Sequence, residues 1–179
     1  MTFSLRCLPL LLAIAAPAAA APEDFHAGTA IPAFGKVASV ASDMPLPTNA
    51  VWKHSFDVSE AKRGELNRGL ESAARFVNMM VEAGVPMGRL KVAVVVHGPP
   101  VLDVTNAARY AAQYGKANNP NAKLVAALLA AGVDIWVCGQ SAEAQDVVKA
   151  DLQPGVKMAL SAITAHAELQ RQGYSLNPF

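Results

Sequence analysis

One thiol and one imidazole stand at the ends of apolar runs. In GVDIWVCGQSA (Gly132 to Ala142) the run stops at Cys138, and a glycine and small polar residues follow. In VAVVVHG (Val92 to Gly98) a second run stops at His97. In an open parallel α/β sheet, reactive groups gather outside the carboxyl ends of the strands, where the next helices point their first backbone N–H groups. Such amides favour a thiolate, the nucleophilic form of cysteine. Gly139 would let backbone approach a bound sulfur or anion with no Cβ in the way. Gly98, Gln140 and Ser141 would complete an anion cradle, and Asn119 is a further anion-binding candidate at a helix start. His97 is a candidate general base, cationic neighbour of the thiolate, or metal ligand.

Each feature also has a plain structural reading. Free cysteine is among the most buried residue types, so an inert core thiol fits the position of Cys138 as well. A histidine can close a strand end through a backbone hydrogen bond, and helix capping accounts for Asn118, Asn119 and Asn121. His54 lies on an apolar strand face and reads as a satisfied, half-buried histidine. His166 reads as a helix-surface residue. Tyr110 and Tyr114 read as packing, and Met79, Met80 and Met87 as core filling rather than soft-metal ligands.

The chain holds two cysteines among its 179 residues. The other, Cys7, lies in MTFSLRCLPLLLAIAAPAAA, which has Arg6, an apolar stretch from Leu8 to Ala15 and a terminal Ala18-Ala19-Ala20. That is the layout of a secretory signal peptide cut after Ala20. Its apolar run falls short of the ~20 residues that span a bilayer. A periplasmic or secreted protein without stable membrane insertion is expected, with Cys138 its single thiol and no internal disulfide. The chain has 15 Lys and Arg against 14 Asp and Glu, and loss of Arg6 balances them. Balanced charge argues against a nucleic-acid partner, which needs a basic face. No CxxC, HExxH, GxSxG, P-loop or GxGxxG occurs, which removes vicinal-thiol exchange, zincin and serine-esterase chemistry and the common nucleotide folds. No cofactor is called for.

The positioning elements follow from periodicity. Residues 21–50 form a proline-punctuated arm, within which Gly35 to Val40 suggests a short edge strand; the arm either lies on the domain or reaches a neighbour. Trp52, His54, Phe56 and Val58 alternate as on a strand. Leu66, Leu70, Ala73, Val77 and Val81 recur at helical spacing, stopped by Gly84. Leu90 to Val96 is a strand buried on both faces. A helix is expected over Asp103 to Tyr114, and another capped at Asn119-Pro120-Asn121 and closed by Gly132. Val133 to Val137 is the strand before Cys138. A helix from Ser141 to Leu152, with Ser141 as its cap, comes next, then strand Val156 to Leu160. Ser161 caps a helix to about Gln172, and a tail too short to fold alone ends the chain. Alternating strands and helices predict one α/β domain over residues 51–179, with a mostly parallel sheet between helices.

These segments resemble the DsrE/DsrF-like sulfur-relay family. The resemblance rests on VAVVVHG, the NPN of Asn119 to Asn121, GVDIWVCGQSA, DLQPGV (Asp151 to Val156) and GYSLNPF (Gly173 to Phe179). It implies a three-layer α/β/α fold around a parallel five-stranded sheet and a homo-oligomer, often a trimer or hexamer. It also implies a persulfide carried on Cys138 and handed to or from a sulfur donor or acceptor protein. His97 matches a recurring histidine of the exported branch. The alternative is a non-catalytic oligomeric binding protein that uses Cys138, with His97, for a soft metal or thiol-reactive ligand.

Overall fold

In the computed structural model, residues 24–115 and 118–178 are described; the segment expected to be a signal peptide, Met1 to Ala20, lies outside them. Five strands form one sheet: β1 (Trp52–Val58), β2 (Leu90–Val96), β3 (Asp134–Cys138), β4 (Lys157–Ala159) and β5 (Ser175–Asn177), in the order β4-β3-β2-β1-β5. Every pair is parallel. The helices are α1 (Arg68–Glu82), α2 (Ala107–Tyr114), α3 (Ala122–Ala130), α4 (Gly139–Glu143) and α5 (Ala162–Arg171).

Alternation along the strands creates two unequal faces. Phe56 and Val58, Val92, Val94 and Val96, and Ile135 and Val137 point to one side. There they pack against Leu70 and Val77 of α1 and Leu124 and Leu128 of α3. On the other side Ala93, Val95, Trp136 and Cys138 meet Ala162, Ala165 and Leu169 of α5. The small residues let α5 lie close to the sheet. The resulting layers are α/β/α, as expected.

The connection from β4 to β5 matters most for chemistry. It runs from one edge of the sheet to the other and carries α5 across the second face. Ser161 caps α5 as expected, accepting the Thr164 N–H at 3.1 Å. The helix therefore begins over the ends of β3 and β4 and passes toward β1.

Several expectations needed revision. The tail is not a loose end: Ser175–Asn177 is β5, paired to β1 and tied by the Ser55 hydroxyl donating to the Ser175 carbonyl at 3.1 Å. The helix expected over Asp103 to Tyr114 is two pieces. A 3-10 segment, Pro99–Val104, stops at Thr105, and Asn106 caps α2 by accepting the Arg109 N–H at 2.9 Å. Asn119 and Pro120 precede α3 rather than starting it. The stretch after Cys138 holds the five-residue α4, turns with Asp146 at φ 51°, and a 3-10 segment, Lys149–Asp151, not one long helix.

The arm lies on its own domain. Val37 pairs with His26 inside the arm, not with the sheet edge. Asn78 of α1, fully buried, holds it: Oδ1 accepts the Ile31 N–H at 2.8 Å, and Nδ2 donates to the carbonyls of Ile31, Phe34 and Gly35. Gly35, at φ +64°, runs so near α1 that a Cβ there would lie 2.3 Å from the Arg75 nitrogen.

Candidate functional site

Cys138 ends β3 and is itself the residue before α4. Its side chain belongs to the α5 face, and the residue is 5% exposed. Burial pushes the thiol up. The Ser141 hydroxyl and the backbone N–H groups of Ser141, Ala162 and Gln140 pull it down by more, and the net displacement is below an ordinary thiol. The cradle thus combines the first turn of α4 with the first residue of α5. The contribution of α5 was invisible in the local sequence around the cysteine.

Ser141 is not a helix cap but lies inside the first turn of α4. Its Oγ accepts the Gly98 N–H at 3.0 Å, which directs the hydroxyl proton elsewhere, onto the sulfur. Gln145 fixes the same corner by donating to the Gly98 and Ser141 carbonyls. Gly98 therefore acts by aiming Ser141, with its own φ of +63°. Gly139 is required for a different reason than ligand approach: a Cβ would lie 2.7 Å from the Ala159 oxygen and 3.1 Å from that of Leu160. Gln140 is exposed, gives its N–H to the sulfur, and sends its side chain to the Leu160 carbonyl at 3.4 Å.

A hydrogen bond to an ionised group is worth ~1.5–3 kcal/mol. Ser141→Ala is therefore expected to slow alkylation of Cys138 by iodoacetamide at pH 7 about tenfold. The measured titration of the thiol should move up by a corresponding amount.

His97 follows β2 as Cys138 completes β3, and Val96 pairs with Val137. Alternation puts both on the face of Val95 and Trp136. The His97 Nε2 meets Asp57 Oδ1 at 3.0 Å and Oδ2 at 3.2 Å. Asp57 is the next-to-last residue of β1. The same Oδ1 is 2.8 Å from the Nε2 of His166 on α5. His166 is thus a half-buried member of a His–Asp–His chain, not a surface residue. Its signal was present, since Ala162, Ala165, His166 and Leu169 share one helical stripe. Asp57 could have been found as the polar partner, with Ser55, of the face opposite Phe56.

Asn119 is committed within the protein: Nδ2 donates to the Asp103 and Thr105 carbonyls, and Oδ1 accepts the Asn121 N–H. Its neighbour Asn121 accepts the Asn67 N–H at 2.7 Å, so these asparagines tie α1, the 3-10 segment and α3 together. His54 is half-buried as expected, hydrogen-bonded to Ser175 and stacked on Phe76. Tyr110 is buried and packs edge-on to Tyr114. Met80 is buried and Met87 packs on the core, but Met79 is largely exposed. Among the described residues, no group of three or more His, Cys, Asp and Glu is arranged to hold a metal ion.

A cleft of about 520 Å³ opens at the ends of β1 and β5, lined by Asp57, Ser59, Lys62, Asn67, Arg68 and Pro178 among others. It sits where the strand order reverses, between β1 and β5, the place at which open α/β sheets form crevices. Asp57 joins the cleft to the His97 imidazole.

Among the described residues, no helix is long and apolar enough to cross a membrane. No curated protein matches the chain. Solved structures share its fold, among them the following two. A protein of unknown function from Methanobacterium thermoautotrophicum gives a TM-score of 0.55 at 18% identity, over 72% of this chain and 99% of that one. The ychN protein from E. coli gives 0.53 at 12%, with the same coverage. The DsrE/DsrF-like family model matches residues 55–178, a span that takes in Asp57, His97, Cys138, Ser141 and His166 and leaves out the arm. With the parallel five-stranded sheet, that match makes this chain a member of the DsrE/DsrF-like family.

Proposed function

We propose that the protein carries sulfane sulfur as a persulfide on Cys138. The observation that carries this reading is the cradle: one hydroxyl and three backbone amides from two helices aimed at one thiol. The Cys138 thiolate attacks the outer sulfur of a persulfide or polysulfide donor. A new S–S bond forms as the donor's S–S bond breaks, and the donor departs as a thiolate, or as a polysulfide anion one sulfur shorter. The same amides then face the terminal sulfur of the persulfide anion. Membership of the family supports a sulfur-relay role. With 5% exposure, the thiol accepts a thin terminal sulfur more readily than a bulky reagent.

The setting proposed for this chemistry is the periplasm or exterior, on the strength of the leader Met1 to Ala20. We further propose a homo-oligomer, as the family resemblance implies, or docking of a donor or acceptor protein beside the site. Leu160 and Ile163, 73% and 82% exposed, flank the capped start of α5 next to Cys138 and suit such a contact.

Incubation with polysulfide followed by intact-mass measurement tests the carrier role. The native protein should gain the mass of one sulfur, removable by a reductant, and Cys138→Ser should gain none. A gain of the same size in Cys138→Ser would place the sulfur elsewhere and end the proposal.

A further inference from the structure

We propose that Asp57 and His166 are positioning residues that hold His97 as the proton acceptor and donor for sulfur chemistry at Cys138. An ionised carboxylate only accepts hydrogen bonds. Both imidazoles therefore present Nε2–H to Asp57 Oδ1, at 3.0 Å from His97 and 2.8 Å from His166. The His166 Nδ1 is buried with no hydrogen-bond partner. A proton there would be an unsatisfied buried donor, so this ring is suited to serve Asp57 through Nε2 alone. With Nε2 of His97 engaged, its Nδ1 is the nitrogen left to exchange a proton. This is the arrangement by which a carboxylate sets tautomer and orientation in hydrolytic triads, with the ring nitrogens exchanged.

The fold explains why these residues meet. His97 and Cys138 follow the paired Val96 and Val137 on adjacent strands, which lie ~4.8 Å apart. The His97 N–H extends the β1–β2 ladder, donating to the Val58 carbonyl at 3.0 Å. Ala162 of α5 gives its N–H to Cys138; one turn on, ~6 Å along the helix, His166 reaches Asp57. One helix therefore stabilises the thiolate and braces its acid–base partner.

The inference rests on the carrier reading for its biological use, and the proton balance is complete within it. His97 takes the Cys138 proton. The thiolate attacks the outer sulfur of a donor R–S–SH, the donor's S–S bond breaks as the new one forms, and R–S⁻ takes the proton back from His97. The products are Cys138–S–SH and R–SH, with no external oxidant or reductant. The help matters only when the leaving thiolate is basic.

That dependence supplies a test that does not need sulfur transfer at all. Exchange rates of the protein without Met1 to Ala20, in which Cys138 is the single thiol, would be compared for dithiobis-nitrobenzoate, whose leaving thiolate needs no proton, and hydroxyethyl disulfide, whose alkyl thiolate does. His97→Gln and His166→Leu should each slow the alkyl disulfide about tenfold or more relative to the aromatic one. His166→Gln, which keeps an N–H for Asp57, should restore the native ratio. A ratio of rates on one sample is insensitive to the fraction folded. Equal slowing with both disulfides, or a Gln variant as defective as the Leu variant, would overturn the inference. Failure of polysulfide loading with a normal ratio would instead count against the carrier reading alone.

Discussion

Asn78→Ala should release the arm from the domain. Four polar groups of residues 31–35 rely on this one fully buried amide. Leaving a buried donor or acceptor unsatisfied costs ~1–3 kcal/mol each. Their sum exceeds what a short irregular segment can regain elsewhere, so the arm would separate rather than stay docked and unsatisfied. The remaining holds are the Arg75 bond to the Lys36 carbonyl at 2.9 Å, the His26–Glu82 pair, and the packing of Ile31, Ala30, Phe34 and Leu46 on the core. The expected stability loss is about 3 kcal/mol, capped by the free energy of docking itself. Limited proteolysis should cut the variant between residues 26 and 50 while residues 52–178 survive, and the native protein should resist. Equal resistance in both would mean that the arm is held by something other than Asn78. Gly28→Ala offers an independent route to the same result, because its Cβ would lie 2.1 Å from the Asn78 side chain.

Asp103→Asn should stabilise the protein near neutral pH. Asp103 is 5% exposed and sits among the asparagines that link α1 and α3, accepting from Asn67 Nδ2 at 2.9 Å. Burial raises its pKa from 3.8 to about 6, against the opposing amides of Asn67 and Asn121. The folded carboxyl thus holds its proton more tightly than the unfolded one. Its contribution to stability is full below pH 3.8 and is lost as the pH rises through about 6. Each tenfold change in proton affinity is ~1.4 kcal/mol, so the loss amounts to about 2–3 kcal/mol. An Asn keeps an acceptor for Asn67 and never ionises. Urea midpoints across this range should show the variant gaining on the native protein as pH rises, then a constant advantage. A difference between the two that does not change with pH would contradict the assignment.

What the residues disclosed in advance follows from how local each signal is. Leu90 to Val96 could be read as a buried strand because its side chains need cover on both faces, and both faces are covered. Ser161 and Gly173 mark the ends of α5 through bonds made within the helix or a glycine at φ +87°. Ser141 misled because a serine before an apolar stretch looks like a cap, whereas here its hydroxyl is engaged by Gly98, 43 residues away in sequence. Three residues of tail carry too little pattern to announce a strand, and β5 exists because the edge of β1 pairs with it. Cys138 and His97 were legible because they stand at strand ends. The meeting of Asp57 with His166 was not, since it forms only after β4 and β5 take opposite edges and draw α5 across the sheet.

The central claim is that the fold lowers the pKa of the Cys138 thiol and leaves its sulfur within reach of small reagents. Its most direct measurement is the rate of iodoacetamide alkylation of the native protein against pH, with the modified residue identified by mass. The predicted profile rises to half its plateau below the value for an ordinary thiol. A profile centred at or above that value, or no reaction until the protein is unfolded, would contradict it.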